Sequence, residues 1–347
     1  MLVFLTGGNG FIGSSVARAL VEQGHRVRCL VRANSHVDRL KDIPWQRIEG
    51  DVRDKSIVLR GMQGCDAAIH LAGPSNWGMI NSPLMRDIGI KGVSNMLSAA
   101  EKQCGVRMVF VSSIVAVNGT KRPEIFDESS PFTLRDRGLT YSIVKREAES
   151  LCLEGARRGL PVMIVNPTEV YGPDDVKLVT AGSLIAFCKS KPVVVCDGGT
   201  SVVHVNDVAA GIIRALVQGQ PGERYILGGE NLTIRDLAAL TLELVGLRRR
   251  IVRMPSSLLR IVAKAGVALR LPLPFDPHVI PYATRYWFVN NHKARDELGV
   301  TFRPARETLK SVLTWLHAAG HIPVAPQVEQ QNRPAPHPLH CGPSLPE

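Results

Sequence analysis

Four glycines crowd the junction between a short apolar run, residues 2–5, and an amphipathic stretch, residues 11–23. The junction reads Thr6-Gly7-Gly8-Asn9-Gly10-Phe11-Ile12-Gly13. This order predicts strand, tight turn, helix. A plain strand-to-helix turn needs one glycine. Here Gly8, Gly10 and Gly13 form G-x-G-x-x-G, and Gly7, Gly10 and Gly13 form a wider version of it. Glycines so placed let the chain turn sharply, bring backbone N–H groups against a pyrophosphate and aim a helix N-terminus at its charge. Gly7, Gly8, Gly10, Phe11, Ile12 and Gly13 are therefore the candidate phosphate-binding residues.

The pattern then repeats. Apolar runs at 26–31, 45–48, 67–71, 106–112 and 161–165 alternate with helical stretches at 56–63, 84–102 and 140–157. Strands apolar on both faces that alternate with helices predict an α/β fold, a doubly wound parallel sheet. After Asn166 the alternation loosens. Helices are expected at 181–190, from an Asn206-Asp207 cap to about 217, at 237–245 behind the capping box Thr233-x-x-Asp236, at 256–269 and at 306–319. Strands are expected at 193–196 and 202–205. Residues 321–347 are rich in Pro and Gln and read as a disordered tail.

With 347 residues, 45% hydrophobic and 21% charged, the chain can bury a large core, which excludes fibrous and disordered classes. No uncharged apolar run reaches the length of a spanning helix. The seven cysteines are odd in number and scattered, so neither a disulfide framework nor a metal site is expected. The N-terminus lacks the basic start of a secretory signal, and a cytoplasmic protein with free thiols is expected. The net charge of +11 is concentrated. From Leu244 to Phe275 there is no acidic residue, whereas Arg248, Arg249, Arg250, Arg253, Arg260, Lys264 and Arg270 all fall there.

A dinucleotide site selective for NAD carries Asp or Glu at the end of the second strand, about 20 residues after the turn. This chain has Val31-Arg32 there. A guanidinium pairs with a 2′-phosphate, so NADP is favoured as cofactor, with NAD as the alternative. Tyr141-x-x-x-Lys145 puts both side chains on one face of a helix that follows Val109-Phe110-Val111-Ser112-Ser113. Hydride transfer at a carbinol or ketone needs a group that gives or takes a proton near neutral pH. A phenol with its pKa of about 10 is a poor base, and an ammonium beside it favours the phenolate; a drop of three units corresponds to about 4 kcal/mol. Ser113 would hold the substrate oxygen. Ser113, Tyr141 and Lys145 are the candidate catalytic residues.

Together the glycine turn, Gly50-Asp51-Val52, His70-Leu71-Ala72-Gly73, Ser112-Ser113, Tyr141-x-x-x-Lys145, Asn166-Pro167-Thr168-x-x-Tyr171-Gly172-Pro173 and His204-Val205-x-Asp207-Val208-Ala209 resemble the extended short-chain dehydrogenase/reductases, the NAD(P)-dependent epimerase/dehydratase superfamily. The resemblance covers about residues 1–316. It implies a Rossmann domain of residues 1–166 plus about 200–228, and a smaller α+β substrate domain of about 167–199 plus 229–320. It also implies a homodimer through the helices at 84–102 and 140–157. Asp51 and Val52 would lie at the adenine, Leu71, Ala72 and Gly73 along the dinucleotide, Arg32 at its ribose, Lys145 beside Tyr141 at the nicotinamide ribose, and Pro167 and Thr168 near the nicotinamide.

Departures from the family pattern narrow the reading. Ser113-Ile114-Val115 stands where sugar-nucleotide dehydratases carry Thr-Asp-Glu, and Thr200-Ser201-Val202-Val203 where sugar epimerases carry an Arg-Asp-Tyr run. Gly89 replaces an Asn, which removes a proton relay through that position. The remainder is similar to the dihydroflavonol reductase, 3β-hydroxysteroid dehydrogenase and hopanoid-associated branch. The expected activity is hydride transfer between NADP(H) and a secondary alcohol or ketone of a fairly apolar small molecule. Two alternatives are a sugar-nucleotide epimerase and a non-catalytic NADP(H)-binding protein. His204 and His292 read as structural, and Trp77 as a substrate-wall residue or a packing anchor. Nucleic acid is not expected as a partner, since no binding module accompanies the charge. In the helix at 256–269, Leu258, Ile261, Val262, Ala265 and Leu269 lie opposite Arg260, Lys264 and Arg270. That face either packs inward or makes peripheral contact with a membrane through 256–270.

Overall fold

The computed structural model describes residues 1–74, 77–80, 82–103, 105–135, 138–269 and 277–327. Its first elements are β1 (Leu2–Thr6), α1 (Phe11–Glu22), β2 (Arg26–Val31), β3 (Gln46–Glu49), α2 (Lys55–Met62), β4 (Ala67–His70), α3 (Pro83–Lys102) and β5 (Arg107–Val111). Then follow β6 (Ile125–Phe126), α4 (Thr140–Arg157), β7 (Val162–Pro167), β8 (Glu169–Tyr171), α5 (Ala181–Lys189), β9 (Val193–Val195), β10 (Gly199–His204) and α6 (Val205–Gln218). The last are β11 (Arg224–Leu227), β12 (Glu230–Thr233), α7 (Ile234–Leu244), β13 (Ile251–Arg253), α8 (Ser256–Ala268), α9 (Ile280–Ala283), β14 (Phe288–Val289), α10 (His292–Leu298) and α11 (Ala305–Ala318).

Seven strands form a parallel sheet in the order β11-β7-β5-β4-β1-β2-β3. The chain builds outward from β1 through β2 to β3, then returns to the other side of β1 with β4. The crevice between the C-terminal ends of β1 and β4 is thus the switch point at which open α/β sheets bind ligands. Both faces of the strands are apolar, for a reason visible residue by residue. Val3 and Leu5 of β1, Ile69 of β4, Val109 and Val111 of β5 and Met163 and Val165 of β7 join one core, to which α1 and α6 contribute Val16, Leu20, Ile212 and Leu216. The alternate residues Leu2, Phe4, Ala68, Met108, Phe110, Val162 and Ile164 join a second core with Val58, Met62, Met96 and Cys152 from α2, α3 and α4. A strand with helices over both faces needs apolar side chains at every position. Each fully buried aliphatic side chain contributes about 1.5–3 kcal/mol.

Beyond β7, β8, β10 and β12 make a second sheet, and the pairs β9–β13 and β6–β14 complete the strand inventory among the described residues. A third core joins Leu184 of α5, Leu237 and Leu242 of α7 and Leu309, Val312 and Leu313 of α11. The expected box at α7 forms: the Thr233 hydroxyl accepts from Asp236 N–H at 3.1 Å and donates to its carboxylate at 2.6 Å.

Three expectations are corrected. The cap of α6 is His204, whose Nδ1 accepts from Asn206 N–H at 3.1 Å, while Asp207 turns away to accept from Arg303 N–H at 2.9 Å. An imidazole and a carboxylate compete for this turn, and the chain segment at Arg303 claims the carboxylate. Residues 321–327, read as tail, are packed: Ile322 is buried in the third core, and Gln327 N–H donates to Leu244 carbonyl at 2.8 Å. The rest of that tail, 328–347, lies outside the described residues. Finally, the apolar face of α8 does not pack inward. Leu258, Ile261, Val262, Ala265 and Leu269 are exposed, and Leu259 and Ala263 face the protein instead. The side chains of Lys264, Arg270 and Trp77 lie outside the described residues, as does Cys104.

Candidate functional site

The glycine turn follows β1 into the switch-point crevice. Gly7 has φ +74°, a left-handed conformation, and a Cβ on it would lie 2.8 Å from Ala72 N on the neighbouring loop after β4. At Gly13 a Cβ would lie 2.1 Å from the Gly7 carbonyl oxygen. Only glycine allows the turn to close this tightly, tied by Gly10 N–H to Gly7 carbonyl at 3.0 Å. Gly10 is the N-cap of α1 and supplies no side chain to cap it, so the first-turn amides of Phe11, Ile12 and Gly13 stay available to an anion. Leu71 and Ala72 form the opposite wall, while a Cβ on Gly73 would meet nothing within 4 Å. Open amides, a crevice without side chains and a helix N-terminus are the donor set a pyrophosphate requires, and the fit to a dinucleotide is good. Gly13→Ala should weaken dinucleotide binding by about 100-fold, on the order of 3 kcal/mol. Fluorescence titration would read this, with circular dichroism reporting that the helices persist.

The far end of the crevice is charged. Arg32 is exposed at the end of β2, and its charge helps hold the Asp51 carboxyl below the usual range. The larger cause is Arg53, whose Nε and Nη2 each bond Asp51 at 2.9 Å. Val52 is buried beneath, its carbonyl accepting from Asn95 Nδ2 at 3.0 Å. Arg39 reaches the same end: its Nη1 donates to Asn9 carbonyl in the glycine turn at 3.4 Å and its Nη2 to Asp174 carbonyl at 2.5 Å. No spacing in the sequence marks Arg39.

Beside the turn, β5 ends at Ser112 and Ser113. Ser113 caps a single helical turn, Ile114–Ala116, accepting from Val115 N–H at 3.4 Å. Tyr141, half-buried on the first turn of α4, lies beside Ser113. Lys145, one helical turn later, donates from Nζ to Val111 carbonyl at 2.9 Å and lies 6.0 Å from the centre of the Tyr141 ring. Pro167 and Thr168 leave β7 at the same edge, and Thr168 N–H donates to Leu227 carbonyl at 3.2 Å. The three candidate catalytic residues therefore converge.

Their electrostatics differ from the expected arrangement. Burial raises the Tyr141 pKa above its usual value of 10.0, and the neighbouring Ser113 side chain opposes this only in part. The Lys145 ammonium bonds a backbone carbonyl rather than the phenol, and burial lowers its own pKa to about 8 against the pull of Glu149. Without a direct ammonium–phenol contact, desolvation of the phenolate dominates. In this arrangement burial favours the protonated form of Tyr141.

Glu149, i+4 from Lys145, was not singled out in the sequence although the helical spacing displays it. It is 0% exposed, accepts from Asn166 Nδ2 at 2.5 Å and faces Arg146 at 3.6 Å and Arg224 at 3.5 Å. Asn166 also donates to the Ser113 carbonyl at 3.0 Å. The carboxylate thus links α4 to β7 and β11 and fixes the peptide that carries Ser113.

His70, at the end of β4, bonds Thr6 Oγ1 at 2.6 Å through Nδ1 and is fully buried. Burial, aided by the Lys145 charge, lowers its pKa to about 3, and His204 falls to about 4 through burial and Arg303. Both rings stay neutral when folded and gain protons near 6.5 when unfolded. The unfolded chain therefore binds more protons below pH 6.5, and stability falls as pH drops from there toward 4. Urea unfolding at pH 5 should show a loss of about 2 kcal/mol per histidine relative to pH 7, and His70→Asn should flatten part of that dependence.

Ile114, Val115, Leu139, Tyr282 and Trp287 form a buried cluster behind the site, with half-buried Phe132 and Tyr141 packed against it. Tyr282 stacks on Trp287 at 6.1 Å, and its ring centre lies 6.5 Å from that of Tyr141. The cluster is apolar and aromatic.

Comparison with known proteins identifies the family. The chain is 31% identical over 314 residues to a 4-hydroxy-2-methyl-3-oxo-4-farnesyl-3,4-dihydroquinoline-1-oxide ketoreductase of Stigmatella aurantiaca, covering 87% of this chain and 92% of that one. It is 27% identical to sterol demethylase protein B of Methylococcus capsulatus, covering 93% and 100%. Among solved structures, gox2253 superposes with a TM-score of 0.78 at 29% identity, over 92% of this chain and 99% of the other. Residues 3–228 match the NAD dependent epimerase/dehydratase family. By its sequence as by its dinucleotide crevice, the chain belongs to that family and is an NAD(P)-dependent enzyme.

Proposed function

We propose that the protein is an NADPH-dependent reductase that converts a ketone of a fairly apolar small molecule into a secondary alcohol. The observation that carries this reading is the convergence of Ser113, half-buried Tyr141 and Lys145 at one strand end, beside an apolar, aromatic cluster. Bound at the crevice, NADPH supplies a hydride. Ser113 orients the ketone oxygen, and Tyr141 donates the proton that the nascent alkoxide needs. A phenol whose pKa is raised remains protonated at neutral pH, which favours reduction over alcohol oxidation. Lys145 holds positive charge at the proton-transfer site and hydrogen-bonds β5.

The substrate class is inferred from the apolar surroundings of Tyr141. Half-buried Phe132 and Tyr141 edge an apolar cluster that buries Leu139, Tyr282 and Trp287, and Thr200, Ser201, Val202 and Val203 of β10 are neutral and buried where a sugar-nucleotide enzyme carries an arginine. The Stigmatella relative, named as a ketoreductase of a farnesylated quinoline oxide, supports the same direction and polarity. NADPH is preferred because Arg32, with Arg39 close by, presents guanidinium groups at the ribose end of the crevice.

Coenzyme oxidation measured with NADPH and NADH against a panel of apolar ketones, steroids, flavonoids and sugar nucleotides tests this reading. Turnover of apolar ketones with NADPH is expected, and Arg32→Glu should raise KM for NADPH at least about ten-fold while leaving NADH within a few-fold. Turnover confined to sugar nucleotides without net coenzyme oxidation would replace a reductase with an epimerase.

A further inference from the structure

We infer that the outward face of α8, together with the basic edge of the neighbouring β9–β13 pair, docks on an anionic membrane surface. The apolar residues of that face recur at 258, 261, 262, 265 and 269, one stripe at helical spacing, and Leu258, Ile261, Val262 and Leu269 are 47%, 63%, 39% and 68% exposed. Soluble surfaces seldom leave a continuous aliphatic stripe open to water without a use for it. The helix is held in this orientation from beneath, where Leu259 and Ala263 pack on Ile280 with Cys196 and Met254. Beside it on β9, Val194 is also exposed.

Charge identifies the occupant. Lys189, Lys191, Arg248 and Arg250 are exposed where α5 leads into β9 and where the chain approaches β13, and these two segments are joined by Val193 N–H to Arg250 carbonyl at 3.0 Å. No acidic residue occurs between Leu244 and Phe275. Two carboxylates that flank this surface are paired: Asp197 with Arg253 at 2.6 Å and Glu243 with Arg306 at 2.6 Å. A second copy of the chain meeting this face across a two-fold axis would set the basic groups against themselves. An anionic bilayer offers what the surface lacks, negative charge spread over an apolar interior that accepts the aliphatic stripe.

The position gives docking a use. α8 packs on α9 and on the turn Pro277–Val279 before it, and α9 carries Tyr282, which faces Tyr141 across 6.5 Å. One short helix separates the lipid-facing stripe from the aromatic cluster, so an apolar substrate leaving a bilayer would enter beside the catalytic phenol. The docking itself does not depend on the proposed reaction.

Flotation of the full chain with phosphatidylcholine vesicles, with and without phosphatidylglycerol, tests it. Binding is expected only with the anionic lipid and should weaken at high salt. The double substitution Leu258→Glu and Ile261→Glu, on side chains that already face water, should lower partitioning at least about ten-fold. Arg248→Glu with Arg250→Glu should do the same at low salt, with NADPH titration and thermal melting confirming that each variant is folded. Absence of binding to either vesicle, equal binding to both, or undiminished binding by the Leu258/Ile261 variant would overturn the inference. So would a dimer in sedimentation that the same variant dissociates, which would assign the stripe to a second copy.

Discussion

Tyr141→Phe is expected to lower kcat for ketone reduction by about 10²–10⁴-fold, with KM for the ketone and affinity for NADPH changed no more than a few-fold. The substitution removes one oxygen and keeps the ring, so the contact with Tyr282 and the packing of the first turn of α4 survive. What is lost is the phenol hydroxyl beside Ser113, and with it the proton for the alkoxide. The pH dependence separates Tyr141 from Lys145. Lys145, with its pKa brought to about 8 by burial, loses its charge first on the alkaline side, whereas Tyr141 ionises only above 10.0. Reduction by the native enzyme should therefore fall through about pH 8 and again above 10. Full turnover in the Phe variant would remove Tyr141 from the mechanism.

Glu149→Leu is expected to cost about 3–5 kcal/mol of stability, the range for stripping one partner from a buried charge cluster. The carboxylate is the acid between Arg146 and Arg224 and also accepts from Asn166, so its loss leaves two guanidinium groups facing each other and an amide donor unpaired. Glu149→Gln keeps the shape and an acceptor, and should cost less. Both variants carry a second signature that simple destabilisation would not produce. Glu149 holds the Lys145 pKa up against burial, so without its charge that pKa drops further and the alkaline limb of the reaction shifts to lower pH. Urea denaturation and a kcat profile on the Gln variant provide the check. An unmoved midpoint together with an unmoved limb would show that Glu149 neither braces the site nor tunes it.

The dinucleotide half of the site was legible because its chemistry is local. Gly7, Gly10 and Gly13 do their work within one turn, and their spacing is itself the geometric requirement. The strands announced themselves similarly, since Val3, Phe4 and Leu5 must be apolar to face two helical layers at once. The convergence of Ser113, Tyr141 and Lys145 was readable too, through a strand end and an i, i+4 pair. Their protonation was not. An ammonium four residues from a phenol suggested acidification, yet the Lys145 side chain turns to the Val111 carbonyl and burial prevails.

Arg39, Tyr282 and Arg224 were invisible in the sequence because each acts across a long separation: Arg39 on Asp174, Tyr282 against Tyr141, Arg224 on Glu149. α8 shows the same division. Its sequence determined a helix with one apolar and one basic face, but periodicity gives a face without an inside. Only the packing of Leu259 and Ala263 against Ile280 turned the aliphatic stripe outward. The chain alone thus determined the α/β class and the glycine turn and pointed to the candidate site side chains, all of which depend on neighbours along the backbone. Tertiary structure decided charge states and which surfaces meet water, because desolvation depends on everything that packs around a group, from whatever part of the chain it comes.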